Sequence, residues 1–258
     1  MKKIILFYFL SVLIIFCSSS SASEKLSETE NAGQYNHAGE LYNNGNFIEA
    51  LRAYETLISK GIKDADLYYN ASNAAYKNGS TGKAILYLER SLKLSPSDKD
   101  EISNLNFLNS IKTDKEPPEN NVVSAYISQK YNRISVNGAA LWSGISFALA
   151  LLLISAALFI GGIKKTVSIS LSSLFFIIFL LSTGVLIQKI HHAKSSSDTI
   201  IMVPEVNAYS GPGTENTHIF TLHEGTKVTI ERTQDNWNLI RLKSGAGGWI
   251  NADTMEKI

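Results

Sequence analysis

Few residues in this 258-residue chain could do chemistry, and their spacing works against most of them. His191 and His192 are adjacent, and neighbours on a helix point in different directions, so the pair does not converge on one metal. His223-Glu224 opens like the zinc-protease pattern, in which a second histidine follows four residues later, but Lys227 stands in that place. His37 has no Cys or Asp at ligand spacing. No phosphate loop, no Gly-x-Ser-x-Gly turn and no carboxylate pair placed as acid and base is present. The single cysteine, Cys17, lies in the first apolar stretch, so the rest of the chain has no disulfide, thiolate metal site or cysteine nucleophile. The expectation is a protein with no catalytic site, no cofactor and no metal, acting through binding surfaces.

Composition says which surfaces these are. Lys and Arg total 24 against 23 Asp and Glu, which argues against a nucleic-acid partner, since that would call for a basic surplus or stripe. The hydrophobic share is 45%, concentrated in three long apolar stretches separated by polar regions. That is the pattern of a segmented membrane protein. Residues 1–22 begin Lys2-Lys3, continue through an apolar run from Ile4 to Phe16 and end on Ser20-Ser21-Ala22. A basic start, a short apolar core and small residues at the exit predict a cleaved export signal. The alternative is a lipoprotein acylated at Cys17, although Phe16 occupies the place where that motif takes a small residue. Loss of Lys2 and Lys3 leaves 22 basic and 23 acidic residues.

Residues 30–96 repeat with a period of 34. Tyr42 recurs as Tyr76, Asn44 as Asn78, Gly45 as Gly79 and Ala50 as Ala84. Leu51 recurs as Ile85, Tyr54 as Leu88, Glu55 as Glu89 and Ile58 as Leu92. This is the period of the tetratricopeptide (TPR) helix–turn–helix unit. Gly45 and Gly79 suit the turn, where a side chain is costly at positive φ. Ala50 and Ala84 are small where two helices approach, and Pro96 closes the second unit. The expected TPR region is 27–115, with units near 30–62 and 64–96. A cap helix follows, with Ile102, Leu105, Leu108 and Ile111 on its buried face. First helices would line a concave side, where Tyr35, Tyr42, Tyr69, Asn73 and Tyr76 either anchor a protein segment or pack between helices.

A linker with Pro117-Pro118 and a short interfacial helix are expected over 116–138, the helix carrying Tyr126, Ile127, Tyr131 and Ile134 on one face beside Lys130 and Arg133. Uncharged stretches then predict transmembrane helices at 139–161 and 167–187, joined by a turn carrying Lys164 and Lys165. Those lysines favour the cytoplasmic side. The export signal independently places the repeats outside, so both soluble regions are expected in the periplasm.

From Thr199 onward short alternating segments are punctuated by Ser210-Gly211-Pro212-Gly213, Glu224-Gly225 and Gly247-Gly248, which predicts a small all-β barrel over 199–258. The series Val206-Asn207 before Ser210-Gly211-Pro212-Gly213, then Glu224-Gly225-Thr226-Lys227-Val228, then Trp237 and Gly248-Trp249-Ile250 resembles bacterial SH3-like domains. Tyr209 stands where that family usually has Arg. The resemblance implies peptidoglycan as a ligand, with Tyr209, Trp237 and Trp249 as its surface, or a core role for the two tryptophans.

The whole order, a multidomain membrane protein of α-helical TPR hairpins, two transmembrane helices and an SH3-like barrel, resembles the BatE family of bacterial aerotolerance (Bat) operons. The carrying residues are Leu67-Tyr68-Tyr69-Asn70, Gly82 to Arg90 with Pro96, Asn104-Leu105 with Leu108, and Leu222 to Val228. That resemblance implies a non-enzymatic scaffold in the bacterial inner membrane whose partners include von Willebrand A-domain membrane proteins and a MoxR-type ATPase.

Overall fold

The computed structural model describes residues 22–115, 122–195 and 197–258. The expected export signal, apart from Ala22, lies outside the described residues, as do Cys17 and Pro117-Pro118.

Among the described residues five helices come first: α1 (Ala22–Asn43), α2 (Phe47–Ser59), α3 (Ala65–Lys77), α4 (Thr81–Leu94) and α5 (Lys99–Ile111). Asp64 caps α3 by accepting from Leu67 N at 2.9 Å, and Asp98 caps α5 through Asp100 N and Glu101 N. The 34-residue period is visible in the backbone. Gly45 and Gly79 have φ of +82° and +80°, and their N–H groups reach Tyr42 O and Tyr76 O at 3.0 Å each. The apolar core between the helices includes Leu51, Tyr54, Leu57, Leu67, Ile85 and Leu86. Ala50 and Ala84 are fully buried, and Ser72 donates to Ala84 O at 2.7 Å across the tight approach. Burial pushes the Tyr54 phenol up to about 12.

The expected face of α5 is the buried one, with one departure at its end and one unexpected member. On α5 the buried residues are Glu101 and Leu108, with Leu105 half-buried, whereas Ile111 is exposed. Glu101 falls on the same stripe as Leu105 and Leu108, and its carboxylate accepts from Ser91 Oγ (2.8 Å), whose own hydroxyl also faces Ala65 O.

Next come α6 (Val122–Asn132), α7 (Val136–Ala156) and α8 (Gly162–Ser195). Two stretches, Val136–Ala157 and Gly162–His191, are long and apolar enough to cross a membrane. They pack antiparallel: Ser143 faces Thr183 at 2.7 Å, Ser172 donates to Ala150 O and Ser168 to Leu153 O, both at 2.7 Å. Small residues at the seam let the backbones approach, and their hydroxyls find carbonyls. Leu141, Trp142, Leu152, Leu174, Leu181 and Ile187 remain exposed on the outer surface of the pair. The reversal lies at 157–161, ahead of the expected place, since Gly162 at φ +61° breaks the helix. Lys164 and Lys165 therefore fall in the first turn of α8.

The C-terminal part has seven strands: β1 (Asp198–Ile201), β2 (Glu205–Tyr209), β3 (His218–His223), β4 (Lys227–Gln234), β5 (Trp237–Arg241), β6 (Gly247–Asn251) and β7 (Met255–Lys257). A 3₁₀ turn, Ala252–Thr254, precedes β7. All pairings are antiparallel, in the order β3-β2-β6-β5-β4-β1-β7. Ile201, Ala208, Leu222, Val228, Ile240 and Ile250, one from each of β1 to β6, share one core, so the sheet curls upon itself. Strand β1 serves two cores, because alternate side chains point to opposite faces. Ile201 enters the sheet's interior and Ile200 enters the core of the helical region.

Candidate functional site

The first-helix tyrosines divide by environment. Tyr35 packs edge-on against Tyr54, and its hydroxyl accepts from Asn70 Nδ2 at 2.6 Å. Tyr69 accepts from Asn104 Nδ2 at 3.2 Å. Both bonds tie one first helix to the next with the same 35-residue spacing, so α5 occupies the place of a third first helix. Tyr42 packs edge-on against Phe47 and is half-buried, as is Asn73. Tyr76 is exposed and meets Phe107 edge-on at 5.7 Å. Burial raises the Tyr35 and Tyr42 phenols, so these groups remain neutral packing and hydrogen-bonding partners. The surface left for a ligand is Tyr42, Asn73, Tyr76 and Phe107. Phe107 carries no signal in the sequence, since it lies off the apolar stripe of α5.

On the β module Trp249 is 8% exposed, between buried Gly248 and Ile250 on β6. It is a buried residue, which corrects its reading as part of an open ligand surface: β6 lies between β2 and β5, and Trp249 is the cross-strand partner of both Tyr209 and Leu239. Trp237 is half-buried and meets Tyr209 edge-on at 5.8 Å; Tyr209 in turn meets exposed His218 at 6.3 Å. Tyr209 and His218 are cross-strand partners at a bulge in β2. The candidate ligand surface is Tyr209, Trp237 and His218. Nothing in the sequence pairs His218 with Tyr209, because an eight-residue loop and a bulge separate them.

The most extensive arrangement joins the two soluble parts. Residues 223–227, dismissed above as a broken metal motif, face α4 and the end of the cap segment. The Asp114 carboxylate accepts from His223 N (2.8 Å) and Thr226 Oγ1 (2.7 Å) and pairs with His223 Nδ1 (2.9 Å). Burial alone would raise that carboxyl, but these hydrogen bonds outweigh it and hold Asp114 below the ordinary aspartate value. Glu224 Oε1 accepts from Gly82 N at 2.7 Å, and Lys227 pairs with Glu89 at 2.9 Å. A Cβ on Gly225 would lie 2.7 Å from Ile85 Cδ1. Farther along α4, Arg90 pairs with Glu256 at 3.0 Å and also donates to Lys257 O, while Lys93 donates to Ile258 O. Gly82, Ile85, Glu89 and Lys93 fall at helical spacing, so one stripe of α4 is the docking face.

Among the described residues no group of three or more His, Cys, Asp and Glu is arranged so that it could hold a metal ion. His191 is exposed on α8, and His37 lies 3.8 Å from Glu40 on the surface of α1.

Comparison of the chain with curated proteins gives no match. Residues 202–256 match the family model described as Bacterial SH3 domain. Strands β2 to β7 fall within that span except for Lys257, and β1 directly precedes it, so the C-terminal module of this chain is a bacterial SH3 domain.

Proposed function

We propose that the chain is a non-enzymatic scaffold of the bacterial inner membrane, with a TPR region and an SH3 domain held together on the periplasmic side. The observation that carries this reading is the docking of 223–227 onto α4 across the apolar helix pair. Two spans between docked parts put both parts on one side of a bilayer. The 34-residue recurrence of turns and of the Tyr–Asn bonds supports TPR units, and Lys164-Lys165 at the far end of the pair supports an outward-facing orientation. Partners are proteins laid along Tyr42, Tyr76 and Phe107. The resemblance to the BatE family makes von Willebrand A-domain membrane proteins the first to test. Affinity purification of the intact chain from membranes, beside a Tyr76→Ala, Phe107→Ala variant, is the test. A partner captured by the wild type and lost from the variant supports the scaffold, and identical captures defeat it.

A second reading, peptidoglycan binding, is favoured by the Tyr209–Trp237–His218 cluster. It lies on β2, β3 and β5, whereas docking uses β1, residues 223–227 and β7, so it stays available when the module is docked. Bacterial SH3 domains bind wall peptides or proteins, and an edge-on aromatic pair suits the apolar face of either. Co-sedimentation of the detergent-solubilised chain with purified peptidoglycan, lost on Trp237→Ala, supports this reading. No sedimentation of the wild type removes it.

A further inference from the structure

At the mouth of the helix pair, a crevice of about 570 Å³ lies where all three parts of the chain meet. One wall comes from α4 and α5, a second from the α6–α7 junction at 131–136, and the rest from Lys189 of α8 with Asp198 and Lys227 of the SH3 domain. Its height relative to a bilayer follows from the helices. Ser135 caps α7, where the apolar stretch starts, and Lys189 is two residues before the other stretch ends at His191.

The lining is two-sided. Leu92, Ile102, Leu105, Ile134 and Val136 supply apolar wall. The charges are four cations, Lys93, Arg133, Lys189 and Lys227, against the carboxylates of Glu89 and Asp198. Both carboxylates are engaged with Lys227, at 2.9 and 3.9 Å. Among the described residues neither Arg133 nor Lys189 has a carboxylate within ion-pair distance. Lys189 lies instead over the Tyr131 ring at 4.2 Å. Lys130 lies over Tyr126 in the same way, so this segment has the amphipathic aromatics and cations of a membrane interface.

We propose that this crevice binds the headgroup of one anionic phospholipid from the leaflet on the side of the soluble modules. Arg133 and Lys189 meet the phosphate, and the glycerol end lies against the apolar wall. A guanidinium offers a planar fork of donors to phosphate oxygens. Juxtamembrane cations draw anionic headgroups at roughly fivefold in affinity per charge. The crevice opens where such headgroups are, beside the helix ends, and a lipid seated there touches the repeats, the spans and the SH3 domain at once. The inference rests on the membrane-span reading above.

The test uses the full chain purified in mild detergent. Native mass spectrometry and thermal shift are read against three probes: phosphatidylglycerol, chain-matched phosphatidylcholine and inorganic phosphate. The expected result is one phosphatidylglycerol retained per chain, with a saturable shift, and binding of phosphatidylcholine about tenfold weaker. Arg133→Gln and Lys189→Gln should each weaken binding about fivefold, and together about 25-fold. Arg133→Lys with Lys189→Arg should restore it. Lys164→Gln with Lys165→Gln, which removes two charges at the other end of the pair, should leave it unchanged. Equal affinity for the two lipids, unaltered binding by the Arg133 and Lys189 variants, or the same saturable shift with inorganic phosphate would each overturn the proposal. Carbonate extraction of native membranes tests the spans separately. A chain released by carbonate overturns the spans and the lipid site together, whereas an inserted chain that retains no lipid overturns the site alone.

Discussion

Glu224 of the SH3 domain caps a helix 142 residues away: its carboxylate accepts from the backbone N–H of Gly82 in the first turn of α4. Ser80, the residue in the N-cap position of that helix, makes no side-chain cap bond. The first N–H groups of a helix lack internal partners and carry partial positive charge, so a carboxylate there satisfies a donor and the dipole together. Gly82 is what permits the approach, since a Cβ would lie 2.6 Å from Glu224 Cγ and 3.0 Å from Ile201 O. Glu224→Ala should lower the melting temperature of the full chain, by about 1 kcal/mol in stability. Gly82→Ala should cost about 1–3 kcal/mol, because the Ile201 carbonyl is backbone and cannot turn aside. The two changes should couple in a double-mutant cycle. Strict additivity would mean that the two residues do not meet.

The Asp114 clasp makes docking sensitive to acid. Its folded carboxyl titrates below its unfolded value, so the stability it adds is fully present above the unfolded value near 4. That stability is lost as pH falls through the folded one. Asp114→Asn should therefore loosen the SH3 domain from the repeats at neutral pH, by about 1–3 kcal/mol. Once pH falls below the folded value the variant and the wild type should converge. Hydrogen exchange of residues 223–227 across that range reads the effect directly, and a pH-independent difference would disprove it.

Glu101 behaves oppositely. It is 4% exposed, and its Oε2 has no hydrogen-bond partner in the described structure. Burial raises its carboxyl above the ordinary glutamate value, so the protonated form is favoured on folding. Its contribution is most favourable at low pH and declines as pH rises through the raised value. Glu101→Gln keeps an acceptor for Ser91 and removes the buried charge, and should raise the melting temperature at pH 7 while doing little at pH 4. A lower melting temperature at pH 7 would show that the charge is compensated.

Docking also constrains topology. In a Cys17→Ser background, cysteines at Ser97 and Ser244, both exposed, should react together with an impermeant thiol reagent added outside the inner membrane. A cysteine at Gly161, in the turn between the apolar helices, should react only after permeabilisation. Reaction of Ser97→Cys without Ser244→Cys would separate the two soluble parts and defeat the two-span arrangement.

Local physics made much of this chain legible from its residues alone. The 34-residue period set the places of Gly45 and Gly79, because a helix reversal needs positive φ at a fixed distance from each apolar stripe. Uncharged runs set the two apolar helices, and alternation with glycine turns set six of the seven strands; β7, three residues long, carried no such signal. Tertiary structure alone decided the rest. Trp237 and Trp249 look alike in sequence, yet Trp249 is buried on a strand flanked by β2 and β5 while Trp237 is only half-buried. Tertiary packing buried the charged Glu101 within the apolar stripe of α5 and left Ile111 at its end exposed, since Ser91 offered a hydrogen bond that periodicity does not encode. His223, Glu224 and Lys227 read as a failed metal motif because their partners, Asp114, Gly82 and Glu89, lie more than a hundred residues earlier, across two apolar helices. Hydropathy and spacing report which face of an element is apolar. Which distant face it meets depends on how the chain returns, and no local pattern carries that.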